Sequence, residues 1–289
     1  MMMTLSTATT LFTHGPKMTI FEAIEAAKQA GFDCLDMSFF AYCRNDREMT
    51  KENWRDWICE VKECADRNGI RFRQTHGNFV LGLQWDDPDF PERKDLLALN
   101  TRCAEASKLL GAEWMVVHPM NLPRQPIFNR QINKDANLAY LAPVIDKAKE
   151  VGIGIAIENM VDFSRNMRRY CGGDPEELFD LVETIHDPSV GICIDTGHAC
   201  LTGIDVPSYI RLAGDRLKAL HINDNRQNGD EHLIPFDGLV DWKGVAEALR
   251  AIGYDHDYSF ELRSRAIPKG AQESWFRYIH DLGVSLINL

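Results

Sequence analysis

Short apolar runs alternate with stretches of helical period from one end of the chain to the other. The first run, residues 4–12, predicts a strand. Thr19-Ile20-Phe21-Glu22 reads as a capping box that opens a helix stopping near Gly31. Residues 34–39 predict a second strand. A Trp-rich amphipathic stretch over 51–68 predicts a helix closed at Asn68-Gly69. The spacing then predicts strand three over 71–76, a helix over 91–110 stopped by Gly111, strand four over 114–118 broken by Pro119, and a helix over 134–150 before Gly152. Strand five covers 153–158. Asp174-Pro175-Glu176-Glu177 is a strong helix start: an N-cap acid, Pro at the first position, and acids at the positive end of the dipole. Strand six is 190–195, followed by a short helix near 206–213. Strand seven is 217–223, a helix runs from Asp241-Trp242 to Ile252-Gly253, strand eight is 258–262, and a last helix covers 271–282.

Eight strand–helix units imply an α/β fold, and their number and length predict one (β/α)8 TIM barrel spanning residues 1–289 as a single domain. No G-x-G-x-x-G follows the first strand, which disfavours a doubly wound open sheet. The longest irregular stretches, 40–50, 80–90, 119–133, 162–173 and 224–240, all follow strands and are expected on the catalytic face.

Composition narrows the function. Apolar residues make up 45% of the 289, enough for a large core, and the net charge is −11. So acidic a chain matches nucleic-acid phosphates poorly. No run is long and apolar enough for a membrane span, and the N-terminus lacks a signal-peptide pattern. None of the eight cysteines sits in a C-x-x-C pair, so they are expected to be reduced, mostly buried and cytoplasmic.

Four strands end on a residue that can bind a cation: Ile155-Ala156-Ile157-Glu158, Gly191-Ile192-Cys193-Ile194-Asp195, Leu217-Lys218-Ala219-Leu220-His221 and Tyr258-Ser259-Phe260-Glu261. A single polar strand end often only caps a loop. Four aimed at one rim read as a metal site, because barrel enzymes work at the C-terminal ends of their strands. Three carboxylates and an imidazole suit one divalent ion, Mn²⁺ first, with Mg²⁺, Co²⁺ or Zn²⁺ compatible. His76, His118, His198, Asp230 and His232 lie at similar strand ends or in the loops just after them. Phe39, Phe40, Phe79 and Trp85 are aromatic candidates for a pocket wall, Trp114 near another strand end is expected to pack in the core or a loop, and Arg263 and Arg265 are candidates for an anionic substituent. Trp54 and Trp57 read as helix-face packing, and Arg165, Arg168 and Arg169 as a solvated basic loop.

Ile157-Glu158-Asn159, Ile194-Asp195-Thr196-Gly197-His198, His221-Ile222-Asn223-Asp224-Asn225, Asp230-Glu231-His232 with Asp237-Gly238 and Asp241-Trp242, and Phe260-Glu261-Leu262 together resemble the xylose isomerase-like TIM-barrel superfamily. That group includes sugar-phosphate isomerases, epimerases and endonuclease IV. Resemblance to the epimerases implies a metal-dependent sugar or sugar-phosphate isomerase. Glu158, Asp195, His221 and Glu261 would hold the ion, and Glu158 and Glu261 would move a proton through a cis-enediolate. It implies His198 as a substrate contact, with His76, His118, Asp230 and His232 around it. The epimerases place an Arg about six residues past the ligand His; here Gln227 stands six past His221 and Arg226 five past, so the chain departs from that pattern and Arg226 is the nearest candidate for the role. Dimers or tetramers are common in the group. Resemblance to endonuclease IV implies instead a trinuclear zinc phosphodiesterase, whose ligand types all recur as His76, His118, Glu158, Asp195, His198, His221, Asp230, His232 and Glu261. A sugar-acid lyase or dehydratase is a further alternative.

Overall fold

The alternation of strand and helix is realised almost unit for unit. The computed structural model describes residues 3–44, 46–79, 91–120, 128–163 and 168–289. Strands β2 (Cys34–Ser38), β3 (Arg71–His76), β4 (Trp114–Val117), β5 (Gly154–Glu158), β8 (Val190–Asp195) and β9 (Leu217–His221) form one parallel sheet in that order. β1 (Thr4–Thr7) and β10 (Asp257–Phe260) form a parallel pair. Single bridges, Ala8 to Asp36 and Ile222 to Phe260, tie that pair to the two ends of the larger sheet. β6 (Asp162–Phe163) and β7 (Arg168–Arg169) make a small antiparallel ribbon within the stretch expected to be irregular.

The side-chain period of two divides each strand. Ile155, Ile157, Ile192, Ile194 and Leu220 join the main core, shared with helices such as α2 (Ile20–Ala30) and α9 (Trp242–Ala251). On the alternate face Val116, Ala156, Cys193 and Ala219 form a separate small cluster. These short side chains keep the inner side of the curl narrow and leave the strand ends free for polar groups. The caps act as their residues predict. Thr19 and Glu22 close a reciprocal capping box. Asp174 caps α6 (Pro175–Ile185) and Asp241 caps α9. Gly31, Gly69 and Gly152 take the left-handed conformation that ends three helices.

Several boundaries differ from expectation. The first strand stops at Thr7, because the chain turns into α1 (Thr10–Thr13), where the Thr9 carbonyl accepts from Phe12 and Thr13. α3 (Trp54–Asn68) starts later than residue 51, after a 3-10 turn over Glu48–Thr50. α5 (Arg130–Val151) starts before residue 134, since the Asn129 side chain caps it and Pro143 is absorbed inside. β4 and β9 end at Val117 and His221, short of residues 118 and 223, and α10 (Lys269–Ile287) outruns 271–282 at both ends. α7 (Thr196–Thr202), immediately after β8, has no periodic signal, and α8 (Val206–Ala213) matches its range. All eight cysteines are thiols outside disulfides, and only Cys59 is exposed. Among the described residues, no helix is long and apolar enough to cross a membrane.

The N-terminal ends of the strands carry a charge network. Arg73 reaches Glu113, Thr4 and Asp257, and the Cys34 thiol donates to Asp257 Oδ2 at 3.2 Å. Burial pushes the Asp257 carboxyl up to about 6. A folded pKa above the unfolded one stabilises below the unfolded value and loses that contribution as pH rises through the folded value. The Asp257→Asn variant, which mimics the neutral acid, is therefore expected to exceed the parent in stability by up to about 3 kcal/mol above pH 7. The gain should vanish below about pH 4. Urea unfolding across a pH series reads it, and a pH-independent difference would contradict it.

Candidate metal and active site

Three of the candidate ligand residues are the last residues of their strands: Glu158 of β5, Asp195 of β8 and His221 of β9. Glu261 stands one residue past β10. Parallel neighbours in register thus deliver their ends to one point, and ligand atoms of all four lie within 4.8 Å of one another. His221 Nδ1 is 3.2 Å from Glu158 Oε1 and 3.3 Å from Glu261 Oε2. Glu158 Oε2 lies 3.3 Å from His76 Nε2 and 3.0 Å from His118 Nε2, and those two nitrogens are 3.1 Å apart. On the other flank, Asp230 Oδ1 is 3.4 Å from His198 Nε2 and 3.1 Å from His232 Nε2. His232 Nδ1 faces the Glu261 carbonyl at 2.9 Å and takes a left-handed backbone (φ 46°), uncommon for a residue with a side chain.

Side chains with no role expected from the sequence alone hold this array. Asn159 clamps Asp195 twice: its Oδ1 accepts the Asp195 N–H at 2.6 Å, and its Nδ2 donates to the Asp195 carbonyl at 3.1 Å. Asn223 Nδ2 donates to Asp195 Oδ2 at 2.6 Å, while Asp195 Oδ1 accepts from the His198 N–H and so caps α7. Gly197 leaves room for Asn223, whose Oδ1 would lie 1.8 Å from a Cβ there. Asp224 pins the loop carrying Asp230 and His232, accepting from the N–H groups of Asn225, Phe236 and Val240 and from Trp242 Nε1. The one signal for Asp224 is its place in Asn223-Asp224-Asn225.

The residues suit a cation. Both Glu158 oxygens and both His221 ring nitrogens are buried without a hydrogen bond of good geometry. Burial alone would raise the Glu158 carboxyl, but His221 and His118 outweigh it and hold it well below the usual range. Burial raises Asp195, and Glu158 and Glu261 add to that. Burial would lower His232, yet Asp230, Glu261 and Asp195 push it up to about 10. His198 is likewise raised by Asp195 and Asp230 against its burial, and His76 by Glu158. His118 is lowered, chiefly by burial.

Of the anticipated substrate contacts, His76, His118, His198, Asp230 and His232 all join the cluster. Arg226 does not touch it: its side chain is exposed, with Nε on the Asp237 carbonyl at 2.7 Å. Phe79 stacks on His118 at 4.4 Å, and Phe40 meets His76 edge-on at 5.6 Å. Phe39 is core. Trp114 begins β4 and so lies at the opposite strand end, beside His256. Trp54 is buried in the core, with Trp57 packed against it and next to Tyr42. Arg263 is exposed next to Glu261, and Arg265 lies over Trp275. Trp85 and Arg165 fall outside the described residues, as do the side chains of Arg168 and Arg169.

The chain belongs to the xylose isomerase-like TIM barrel family, whose profile matches residues 24–279. It is 43% identical over 215 residues to the uncharacterized protein y4fM of Sinorhizobium fredii, covering 70% of this chain and 62% of that one. It is 28% identical over 233 residues to the D-psicose 3-epimerase of Enterocloster bolteae, covering 78% and 70%. A protein of Thermoplasma acidophilum described as "Probable endonuclease 4" is 27% identical over 199 residues, covering 64% and 65%. Matched regions span about half to two thirds of the first curated relatives' own lengths. In fold, the crystal structure of a D-tagatose 3-epimerase-like protein superposes with a TM-score of 0.77 at 23% identity, covering 99% of this chain and 98% of that one.

Metal-free His198 and His232 hold protons at neutral pH, and a cation using them must displace those protons. Zn²⁺ affinity for the group formed by Asp195, His198 and His232 is therefore expected to rise with pH between 6 and 8, by about one decade per unit for each proton displaced. Calorimetry in buffers of different ionisation enthalpy counts those protons. An affinity flat in pH would contradict their protonated state.

Proposed function

We propose that this protein is a divalent-metal-dependent isomerase or epimerase of a small sugar or sugar phosphate, working by carboxylate proton transfer through a cis-enediolate. The convergence of Glu158, Asp195, His221 and Glu261 within 4.8 Å at the strand ends carries this reading. Similarity to a D-psicose 3-epimerase supports the substrate class. We also read the two sheets as one closed (β/α)8 barrel forming a single domain over 1–289, on the strength of the bridges Ala8–Asp36 and Ile222–Phe260.

Those four residues would hold the ion, with Mn²⁺ the first candidate. A bound ion supplies charge that polarises a substrate carbonyl and acidifies the adjoining C–H. The chain's own task is the proton. Glu158 is fully enclosed and held ionised by His221 and His118, so it is kept as a base. Glu261 approaches His221 from another strand and is 14% exposed, open to a ligand from the loop side. Two carboxylates on separate strands can take a proton from one face and return it to the other. Phe40 and Phe79 offer apolar faces against the C–H side of a sugar ring.

Turnover of a ketose panel in D₂O with Mn²⁺ is expected to place deuterium at the carbon next to the carbonyl. Glu158→Gln and Glu261→Gln should each lower exchange by at least about 10³-fold. Full exchange in both variants would refute the two-carboxylate scheme, and net loss of water would point to a dehydratase.

A second reading has its own observation. His76 and His118 converge on Glu158, and His198, Asp230 and His232 converge beside Asp195, so two further cradles flank the first. That array is what the resemblance to endonuclease IV implies for three zinc ions and phosphodiester hydrolysis. Metal analysis after Zn²⁺ loading separates the two readings. The isomerase expects about one tightly held ion per chain and no cleavage of an abasic oligonucleotide. Three zincs with strand cleavage lost in His118→Ala would favour the nuclease.

A further inference from the structure

The proposed chemistry leaves one enclosed acid beside the site without a task. Asp36 lies mid-strand in β2 and is fully buried. Its Oδ2 accepts from Gln74 Nε2 at 2.7 Å and from Ser259 Oγ at 3.3 Å, and lies 3.4 Å from His221 Nε2. Its Oδ1 makes no hydrogen bond. A buried carboxylate is costly unless something nearby uses its charge. Gln74 Nε2 also donates to the Leu220 carbonyl at 3.2 Å, so the same amide ties Asp36 to β9, the strand that ends in His221.

The His221 ring has two distinct sides. Nδ1 faces Glu158 and Glu261, and Nε2 faces Asp36 at 3.4 Å, a close approach outside good hydrogen-bond geometry. A neutral imidazole offers a lone pair at one nitrogen only when its proton sits on the other. His76 stacks flat on the ring at 5.3 Å with planes 11° apart, which limits its tilt. The Cys193 thiol also adjoins the ring, but burial pushes it up to about 12, so it stays protonated and accepts weakly.

We propose that Asp36 is a positioning residue for His221: its carboxylate holds the imidazole proton on Nε2 and leaves the Nδ1 lone pair for the cation shared with Glu158, Asp195 and Glu261. This rests on the metal-site reading above. The logic is that of a carboxylate–histidine–metal relay, in which the outer acid fixes tautomer and ring orientation.

The test uses full-length protein, Zn²⁺ as the probe, and the variants Asp36→Asn and Asp36→Ala. Asn keeps the shape and an acceptor but not the charge; Ala removes both. Thermal melts first establish which variants are folded, and Asp36→Asn serves alone if Asp36→Ala is not. Chelator competition is expected to show a roughly 10–100-fold loss of Zn²⁺ affinity for Asp36→Ala and a smaller loss for Asp36→Asn. In ¹⁵N-histidine spectra of the zinc-loaded parent, His221 should carry its proton on Nε2, and the variants should show weakened or mixed tautomer signals. Affinity within about threefold of the parent with an unchanged tautomer overturns the proposal, even if the melting temperature falls, since that pattern marks a structural role alone. A parent that binds no divalent ion would overturn the metal-site reading and this inference together. Failure in the variants alone would leave the metal site standing.

Discussion

Everything at the rim follows from burying the Glu158 carboxylate completely, with neither oxygen in a hydrogen bond of good geometry. An isolated buried charge is tolerated only when paired or bound to a cation. The surroundings of Glu158 answer that demand: imidazoles from β3 (His76), β9 (His221), the loop after β4 (His118) and the first turn of α7 (His198) all lie within 3.5 Å of its oxygens. Those imidazoles in turn need acids, which is why Asp195, Asp230, Glu261 and Asp36 stand around them. The cluster is one electrostatic unit, and removing any member changes the protonation of the rest.

A parallel sheet makes such a unit cheap to assemble. Adjacent strands in register end at the same level, so Asp195 and His221 are cross-strand partners, and Glu158 pairs with Cys193 two residues before Asp195. What the sheet cannot supply is fine orientation. Asn159 and Asn223 provide it for Asp195, and Thr196 Oγ1 ties the start of α7 to the Asn223 carbonyl at 2.6 Å. Asp224 does the same for the loop that brings Asp230 and His232 over the site. The residues that hold the site are thus chain neighbours of its ligands, although their bonds cross to other strands.

This explains which parts were legible beforehand. Glu158, Asp195 and His221 could be read because an apolar run that stops at a ligand is visible in one dimension, and the capping box at Thr19 and Glu22 is local in the same way. α7 was missed because Thr196-Gly197-His198-Ala199-Cys200-Leu201-Thr202 has no helical period; it forms because Asp195 caps it while also serving the site. Asp36 was invisible, since one acid in an apolar strand resembles ordinary inside–outside alternation. Trp114, at the start of β4 away from the rim, packs against the small inner cluster as expected, because aromaticity alone says nothing about which strand end a ring serves. Arg226 lies at about the family's distance from His221 along the chain, but the turn through Arg226 and Gln227, where Gln227 is left-handed, sends its Nε–H to the Asp237 carbonyl.

The same shared acid would limit how many ions the rim could hold. Glu158 directs Oε1 to His221 and His198 and Oε2 to His76 and His118, so one oxygen faces the central group of four and the other a histidine pair. Under the isomerase reading, the histidine pair would be left to donate hydrogen bonds to a substrate oxygen, and the burial that lowers His118 favours a neutral imidazole there. Under the multinuclear reading, a further ion held by His76 and His118 would draw on Glu158 as well and leave it less available as a base. The two proposed readings would therefore compete for one carboxylate, and whether the His76–His118 pair holds an ion would decide between them.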